Sequence, residues 1–241
     1  DFPLGTLITA KKQTKGRGQR KNNWTHFKGG WCGSWKISLD DSSAAIIQAK
    51  AGLAVLDSIA TLMSDELPTF DSLSMSKFSK HKITMKWPND LLINNKKFAG
   101  VLSEARTQGD NTKCVLGIGC NLTDQNDEVS STISDAASLN KLPISKINKE
   151  EWEMILHASI ASKFEKINLF GMDPESRTMN EWWLSMEQFN KTNIAIIDSI
   201  KYKINSLYSD GSIGLIPIKS NISPEIRCHE SFNLKWEKVI I

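Results

Sequence analysis

Apolar residues recur along this chain with two different periods. Between residues 43 and 63 they fall at steps of three and four, and Asp41, Ser42 and Ser43 offer capping side chains, which predicts a helix. Two more helical patterns lie at 152–167 and 179–186. Short apolar runs predict strands at 7–10, 31–39, 83–87, 91–93, 98–105 and 114–118.

Beyond Asn193 the apolar period changes to two. Ile200, Tyr202 and Ile204 alternate with polar residues, and Asp210-Gly211 predicts a turn before the next apolar run. We therefore expect a small barrel-like β module at 193–241, separate from a larger domain at 1–192. The polar stretches 64–81 and 124–135 predict an exposed connection and a loop.

Composition narrows the class of protein. The 241 residues are 40% hydrophobic and 24% charged, as in soluble globular proteins. No run approaches the roughly 20 uninterrupted apolar residues of a membrane span, so no membrane partner is expected. The four cysteines lack zinc-site spacing, which favours reduced, buried thiols and a cytoplasmic location.

Charge is unevenly placed. Residues 2–39 contain eight Lys or Arg and no Asp or Glu, although the net charge is only +3. This asymmetry indicates an anionic partner near the N-terminal end, whether a nucleotide, a carboxylate or a nucleic acid.

A glycine-rich basic segment runs from Gln13 to Trp24. Its glycines allow close approach to a ligand, and Arg17 and Arg20 can bind a carboxylate or phosphate with paired hydrogen bonds. The Gln13 amide suits a urea-like group, and Trp24 can stack. A solvated basic loop or an RNA-contacting loop would show the same residues.

The most informative segment begins with Lys86-Trp-Pro-Asn-Asp90 and continues to Gly100. Asn94-Asn95 predicts a two-residue hairpin turn that pairs Ile93 with Lys96, Leu92 with Lys97 and Asp90 with Ala99. Asp90, Leu92, Lys97 and Ala99 would then share one sheet face, with Asp90 and Lys97 as diagonal neighbours about 7–8 Å apart or less.

A carboxylate beside an ammonium on a sheet face suits acyl activation. The lysine would hold a carboxylate against ATP, and the aspartate would orient the lysine or help to place a metal. A surface ion pair on a hairpin would look the same. A third segment, Gly117-Ile-Gly-Cys-Asn121, predicts either a tight turn or a flat seat for a ligand, with Asn121 able to bind a base edge.

In this order the three segments resemble biotin protein ligases. That family carries a glutamine before a glycine-arginine loop and a tryptophan, then Lys-Trp-Pro-Asn-Asp with a following lysine, then a Gly-x-Gly-x-Asn strand end. The resemblance implies an α+β fold: a catalytic domain like that of class II aminoacyl-tRNA synthetases, with a mixed sheet flanked by helices, and a small C-terminal barrel of the Src-homology-3 type.

The resemblance also implies an activity. Biotin and Mg-ATP would give biotinyl-adenylate, and a lysine of a biotin carboxyl carrier protein or biotin-dependent carboxylase would accept the biotin. ATP, Mg²⁺ and biotin are the implied small molecules, and no nucleic-acid partner is expected. A lipoate-attaching ligase, which shares the fold and reaction type, and a nucleic-acid-binding module are the alternatives.

Residue roles follow by position from the same resemblance. Gln13 would bind the ureido ring, Arg17 and the loop backbone would cover the carboxylate and adenylate, and Lys97 would be the catalytic cation with Asp90 beside it. The implied catalytic residues are Lys97, Asp90 and Arg17; the implied biotin-binding residues are Gln13, Gly16, Arg17, Gly18, Gln19 and Lys97; the implied ATP-binding residues are Arg17, Arg20, Trp24, Lys86, Asn89 and Asn121. The metal ligands are unknown, with Asp90 as the candidate.

Two departures from the family pattern modify these expectations. Gln19 stands where the family loop usually has a second arginine and Lys21 where it often has glycine, so we expect a weaker hold on the anionic adenylate. The family's Ser-Thr-Asn segment, which contacts biotin, does not occur before the first strand, so residues upstream of Asp1 are expected to complete the biotin pocket. The DNA-binding domain of some bacterial members does not occur either, and no repressor role is expected.

Overall fold

The computed structural model describes residues 2–38, 44–63, 83–108, 111–124, 128–142, 144, 147–165, 174–187, 194–218, 225–228 and 235–236. Its large sheet has six strands in the spatial order β1-β4-β8-β7-β6-β5. These strands are β1 Leu7–Thr9, β4 Gly30–Ile37, β5 Ile83–Lys86, β6 Asp90–Ile93, β7 Lys96–Gln108 and β8 Asn111–Asn121. Two short strands, β2 Gly16–Arg17 and β3 Asn23–Trp24, pair with each other outside this sheet.

All strand ladders in the described residues are antiparallel, and the parallel component is an isolated bridge between Lys97 and Ala136. Within the described residues, four α-helices accompany the strands: α1 Ala44–Leu62, α2 Glu128–Thr132, α3 Lys149–Phe164 and α4 Pro174–Glu187. The α+β class expected from the sequence is confirmed, and so are the predicted strands and helices of the described residues. The short α2 helix lies inside the stretch 124–135, where a loop was predicted.

The two faces of the large sheet differ because side chains alternate along each strand. One face carries large buried residues and packs against helices. Trp31 and Trp35 of β4 meet α3, where their indole N–H groups donate to Glu153 (2.7 Å) and to Nδ1 of His157 (3.0 Å). The opposite face carries glycines and small polar residues, and this face bears the cavity described below.

Helix α1 is the central core helix. By length and composition it could cross a membrane, but 78% of its apolar window is buried inside the protein. Gly52 lets the helix approach the sheet, because a Cβ there would collide with the side chain of Met85. The predicted capping residues 41–43 and the predicted connection 64–81 lie outside the described residues.

The hairpin of β6 and β7 has the predicted pairing next to its turn and a different pairing further along the strands. Asn94 and Asn95 have φ values of 49° and 62°, as a two-residue turn requires, and Leu92 pairs with Lys97. A register shift between Leu91 and Leu92 then pairs Asp90 with Gly100, so the predicted pairing of Asp90 with Ala99 is wrong. The bulge turns Ala99, like Phe98, into the core, where both are fully buried.

The C-terminal residues form a second sheet, in the spatial order β12-β11-β10-β9-β13. Its strands are β9 Ile194–Ile197, β10 Ile200–Leu207, β11 Ile213–Pro217, β12 Ile226–Cys228 and β13 Lys235–Trp236. Its apolar residues join the same hydrophobic core as the large sheet, and the Trp87 indole N–H donates to the Gly211 carbonyl oxygen at 2.9 Å. The predicted domain boundary at 192–193 lies outside the described residues.

Candidate active site

A cavity of about 430 Å³ lies over the glycine face of the large sheet. Its wall combines residues between Ile8 and Trp24 with residues of β4, β5, β6, β7 and β8. It brings together ten of the residues singled out in the sequence: Gln13, Arg17, Gly18, Gln19, Arg20, Trp24, Lys86, Asn89, Asp90 and Lys97. Three segments that are distant in sequence therefore form one site.

Lys97 and Asp90 form an ion pair at the base of the cavity. Nζ of Lys97 lies 2.6 Å from Oδ1 of Asp90, and the two side chains keep 35% and 22% exposure. Their predicted proximity is confirmed. Direct contact is possible because Gly100, which faces Asp90 across the ladder, has no side chain to occupy the intervening space: a Cβ there would lie 2.9 Å from Nζ of Lys97.

The backbone of Lys97 is held on both sides. It pairs with Leu92 in the hairpin, and its N–H donates to the Asp135 carbonyl oxygen at 2.7 Å. The Ala137 N–H donates to the Lys97 carbonyl oxygen at 2.8 Å. A cation whose backbone is hydrogen-bonded on two sides is preorganised for a ligand's developing negative charge.

Trp24 lies flat against glycine backbone. Its indole covers Gly119, where a Cβ would lie 2.5 Å from Cε2, and reaches Gly100, where a Cβ would lie 3.6 Å from Cζ3. Nζ of Lys97 is 5.6 Å from the centroid of the same ring. Gly119, in the Gly-x-Gly of β8, therefore serves as a seat for the Trp24 ring.

Arg17 is held by a carboxylate that the sequence reasoning did not single out. Its guanidinium forms two contacts with Glu104, Nη2 to Oε2 at 2.6 Å and Nη1 to Oε1 at 2.9 Å. Both side chains are largely exposed, at 69% and 42%. Arg17, which was expected to bind an anionic ligand, thus forms an ion pair with Glu104 on the cavity wall.

Gln19 also makes a contact that its sequence neighbours do not suggest. Its Nε2 donates to Oε1 of Gln48 at 2.8 Å, and Nε2 of Gln48 donates to Oγ of Ser103 at 3.0 Å. Gln48 could have been suspected as an isolated polar residue within an apolar helix. Nothing in the sequence identified Ser103 or Glu104.

Two other candidates make hydrogen bonds within the protein. The Asn89 side chain donates to the Val101 carbonyl oxygen at 2.7 Å and so shapes the cavity wall. Asn121 is buried, and its side chain donates to the Ala137 carbonyl oxygen at 3.0 Å. Asn121 and Gly16 are absent from the cavity lining, so the described structure does not bring Asn121 to the surface that a base would contact.

The oxygen ligands available for Mg²⁺ are sparse. Within the described part of the chain no three His, Cys, Asp or Glu side chains cluster as a metal site. The carboxylates on the cavity wall are Asp90 and Glu104, and each contacts a protein cation. Mg²⁺ is commonly held by one or two carboxylates together with substrate phosphates, so this donor set fits an ion that enters with a nucleotide.

Comparison with known proteins places this site in a family. The profile of the biotin/lipoate A/B protein ligase family matches residues 2–121, which include every candidate site residue. The chain belongs to the biotin/lipoate A/B protein ligase family.

Two curated relatives illustrate this membership. The bifunctional ligase/repressor BirA of Bacillus spizizenii is 33% identical over 149 residues, covering 61% of this chain and 42% of the relative. Biotin–protein ligase 1 of Arabidopsis thaliana, described as chloroplastic, is 27% identical over 194 residues, covering 78% of this chain and 48% of the relative. The chain thus spans less than half the length of these relatives.

Solved structures extend the likeness in fold to nearly the whole chain. The biotin protein ligase of Aquifex aeolicus superimposes with a TM-score of 0.66 at 18% identity, covering 98% of this chain and 90% of that one. The same enzyme in complex with biotin and ATP gives a TM-score of 0.64 at 20% identity, with 95% and 91% coverage. The fold of this family member therefore includes the C-terminal sheet.

Proposed function

We propose that this chain activates biotin with ATP and transfers it to a lysine of an acceptor protein. The observation that carries the proposal is the Lys97–Asp90 ion pair, which lies in a cavity also lined by Gln13, Arg17 and Trp24. A fixed ammonium group beside a neutral amide, a guanidinium and an indole suits a ligand with a carboxylate, a urea-like ring and a nucleotide.

Two group transfers make up the proposed reaction. In the first, a carboxylate oxygen of biotin bonds to the α-phosphorus of ATP, and the bond to the departing pyrophosphate breaks. In the second, the lysine amine of the acceptor bonds to the acyl carbon, AMP leaves with the former carboxylate oxygen, and the amine loses a proton.

The residues of this chain act on these steps by charge and position. Lys97 holds the carboxylate against the α-phosphate and stabilises the charge that develops on its oxygens, while Asp90 keeps the ammonium in place. Gln13 binds the ureido ring, and Arg17 moves from Glu104 to the ligand. Asp90 would be the candidate carboxylate ligand for a Mg²⁺ ion bound to ATP, and the ion would supply neutralisation of phosphate charge.

The acceptor and the compartment belong to the same proposal. The relative from Paracoccus denitrificans is a biotin–[acetyl-CoA-carboxylase] ligase, which suggests a biotin carboxyl carrier protein or carboxylase domain as acceptor. Burial raises the pKa of the Cys32, Cys114, Cys120 and Cys228 thiols, and all four are unpaired, which supports a reducing cytoplasmic location. We assign the site to residues 1–192 and the small β domain to 193–241.

ATP–pyrophosphate exchange tests the function. We expect exchange that depends on biotin; dependence on lipoate instead would identify the related ligase activity, and no exchange with either acid would favour a binding module. Lys97→Ala should lower exchange by about 10²–10³-fold, as removal of one charge-stabilising donor does in other enzymes. The neighbouring exposed Lys96→Ala is the control, and full activity of Lys97→Ala would refute the assignment.

A further inference from the structure

Asn121 is the last residue of β8, the strand that lies next to the one carrying Lys97. Its side chain is buried, and Nδ2 donates to the Ala137 carbonyl oxygen at 3.0 Å. A polar group taken out of water destabilises the fold unless it finds a hydrogen-bond partner. The contact with Ala137 therefore indicates what Asn121 contributes.

Lys97 lies beyond the end of the ladder that joins β7 to β8. The pairing of the two strands stops at Ala99, and residues 135–137 then take the place of β8 through an isolated parallel bridge. The Lys97 N–H donates to the Asp135 carbonyl oxygen at 2.7 Å, and the Ala137 N–H donates to the Lys97 carbonyl oxygen at 2.8 Å. This segment therefore fixes the backbone from which the ammonium group extends.

The Asn121 side chain joins the end of β8 to the segment that replaces it. Ala137 uses its N–H for Lys97 and its carbonyl oxygen for Asn121. Two hydrogen bonds thus lead from the Asn121 amide, through a single residue, to the backbone of Lys97. A shift of the Ala137 backbone changes both bonds at once.

Other contacts hold the same segment further along the chain. The Asn140 side chain accepts from the Asp124 N–H at 3.2 Å and from the Ser138 hydroxyl at 2.6 Å. These bonds begin one residue beyond Ala137, so they fix the part of the segment that follows the bridge. Asn140 therefore offers a matched comparison for Asn121.

The backbone matters because the ion pair alone holds the ammonium of Lys97 only weakly. Lys97 and Asp90 are both partly exposed, and a solvated ion pair restrains a long side chain little. A reacting group that is misplaced by about 1 Å can lower a rate by about a hundredfold. A fixed backbone at Lys97 is therefore a condition for its action on a carboxylate and a phosphate.

We propose that Asn121 is a positioning residue that sets the place of Lys97 through Ala137. This role is separate from the contact with a base that the resemblance implies for Asn121. The effect of Asn121 on catalysis rests on the proposed function. Its effect on the backbone of Lys97 does not.

Hydrogen exchange followed by NMR measures the bridge itself. In Asn121→Leu the amides of Lys97 and Ala137 should exchange about tenfold faster, the effect expected for loss of one buried hydrogen bond. The Val101 amide, which donates to the Asn89 carbonyl oxygen, should keep its rate. Unchanged rates at the first two amides, or equal acceleration at Val101, would overturn the proposal.

Steady-state ATP–pyrophosphate exchange separates positioning from recognition of the base. Asn121→Leu should lower kcat about tenfold and keep both the KM for ATP and the preference for ATP over inosine triphosphate, because Lys97 acts on the charge that develops during the reaction. A raised KM for ATP and a lost preference, with kcat unchanged, would instead assign Asn121 to the base and refute positioning.

A double variant tests whether Asn121 acts through Lys97. In the Lys97→Ala background the ammonium is gone, so adding Asn121→Leu should lower the remaining exchange by less than about twofold. A further tenfold loss in that background would mean that Asn121 acts on another part of the site. The proposal would then be wrong.

Asn121→Asp provides a second variant in case the leucine variant does not fold. The two side chains are nearly equal in size, but at about pH 8 an ionised carboxylate oxygen replaces the donating N–H group and repels the Ala137 carbonyl oxygen. The same loss of kcat and the same faster exchange at Lys97 are expected. Wild-type values for both would contradict the role of the Asn121 N–H group.

Asn140→Leu is the matched control, because it removes the same kind of side chain from the same segment without touching the bridge. Its kcat and its exchange rate at Lys97 should equal those of the wild type, and losses as large as those of Asn121→Leu would refute a specific role for Asn121. If the wild type shows no biotin-dependent exchange, the proposed function fails. Hydrogen exchange at Lys97 and Ala137 still decides the positioning.

Discussion

Gly100 lies directly opposite Gly119 in the ladder of β7 and β8, and the Trp24 indole occupies the space above both. Two glycines facing each other leave a flat patch of backbone on the sheet. The Lys97 ammonium borders the same patch, since a Cβ at Gly100 would lie 2.9 Å from Nζ. Because neither Gly100 nor Gly119 has a side chain, the Trp24 ring and the Lys97 ammonium can both lie against this patch.

We predict that Gly119→Ala lowers the affinity for the ligand about tenfold. The added Cβ would lie 2.5 Å from the Trp24 ring, so the indole must move, and overpacking of this kind typically costs about 1–3 kcal/mol. Ligand titration followed by tryptophan fluorescence measures both the affinity and the displaced ring.

Gly117→Ala is the matched control for this variant. A Cβ at Gly117 would lie 3.6 Å from the Leu102 carbonyl oxygen and 3.7 Å from Oγ of Ser34, which is ordinary contact distance. Affinity and fluorescence should therefore match the wild type. Equal losses in the two variants would show that any side chain on this face disturbs the site and that the Trp24 seat has no particular role.

A second prediction concerns Glu104, the carboxylate that contacts Arg17. Glu104→Gln should tighten binding of the anionic ligand a few-fold, because the carboxylate no longer competes for the Arg17 guanidinium. The gain should shrink as salt is added, since the pair is exposed and its charges are screened. Isothermal titration at two ionic strengths checks both parts.

A control variant must show that removing one negative charge from the protein does not by itself raise the affinity. Glu150→Gln removes one carboxylate from an exposed position in α3, and it should leave the affinity unchanged. A weaker ligand affinity in Glu104→Gln would instead mean that Glu104 orients Arg17 for the ligand. The competition model would then be wrong.

The local parts of this fold could be predicted from the sequence. The Asn94-Asn95 turn and its first two ladder pairs depend on the conformations that asparagine tolerates, and both were correct. The bulge was missed because it depends on Phe98 and Ala99 both being buried in the hydrophobic core, a packing outcome with no signal in the hairpin's own residues. Even so, Asp90 met Lys97, since Gly100 left the space between them open.

The contacts of the basic loop could not be predicted, for a different reason. Glycines and cations at 16–21 indicate ligand binding, but the partners Gln48 and Glu104 lie 29 and 87 residues away along the chain. A residue-type pattern carries no information on contacts at that separation. The structure shows that Gln19 contacts Gln48, and the expected effect of Gln19 on adenylate retention stays a prediction.

A third prediction concerns the contact between the C-terminal sheet and the site. Gly211 has φ of 79°, a Cβ there would collide with Ala45, and its carbonyl oxygen accepts the Trp87 indole N–H. Gly211→Ala should therefore lower the free energy of unfolding by about 2–5 kcal/mol, the sum of a strained backbone and a displaced helix start. Urea unfolding measures the change.

Gly5 separates these two causes. Its φ is 80°, but among the described residues nothing beyond its chain neighbours lies within 4 Å of the position of its Cβ, so Gly5→Ala carries the backbone strain alone. We expect a loss of about 1–2 kcal/mol for that variant. If Gly211→Ala lowers the free energy of unfolding no more than Gly5→Ala does, Ala45 moves aside easily to make room for the new Cβ. The C-terminal sheet would then not hold Trp87 in a fixed position.

The last prediction is a pH dependence of stability centred on His26. Burial, followed by the nearby charges of Lys149 and Lys12, lowers the pKa of His26, and its Nδ1 is buried without a hydrogen-bond partner among the described residues. The folded protein then binds fewer protons at this site than the unfolded chain, whose histidine pKa is about 6.5. The free energy of unfolding should accordingly fall as the pH drops below about 6.5.

His26→Gln removes the titrating group and keeps a polar side chain of similar reach. The variant should lose part of the decline in stability between about pH 6.5 and pH 5, while its stability above pH 7 changes little beyond a constant offset, because His26 is neutral in both states there. Chemical unfolding at several pH values measures the two curves. Parallel curves would show that His26 titrates alike in the folded and unfolded protein, which would contradict the burial and the lysine charges as the cause.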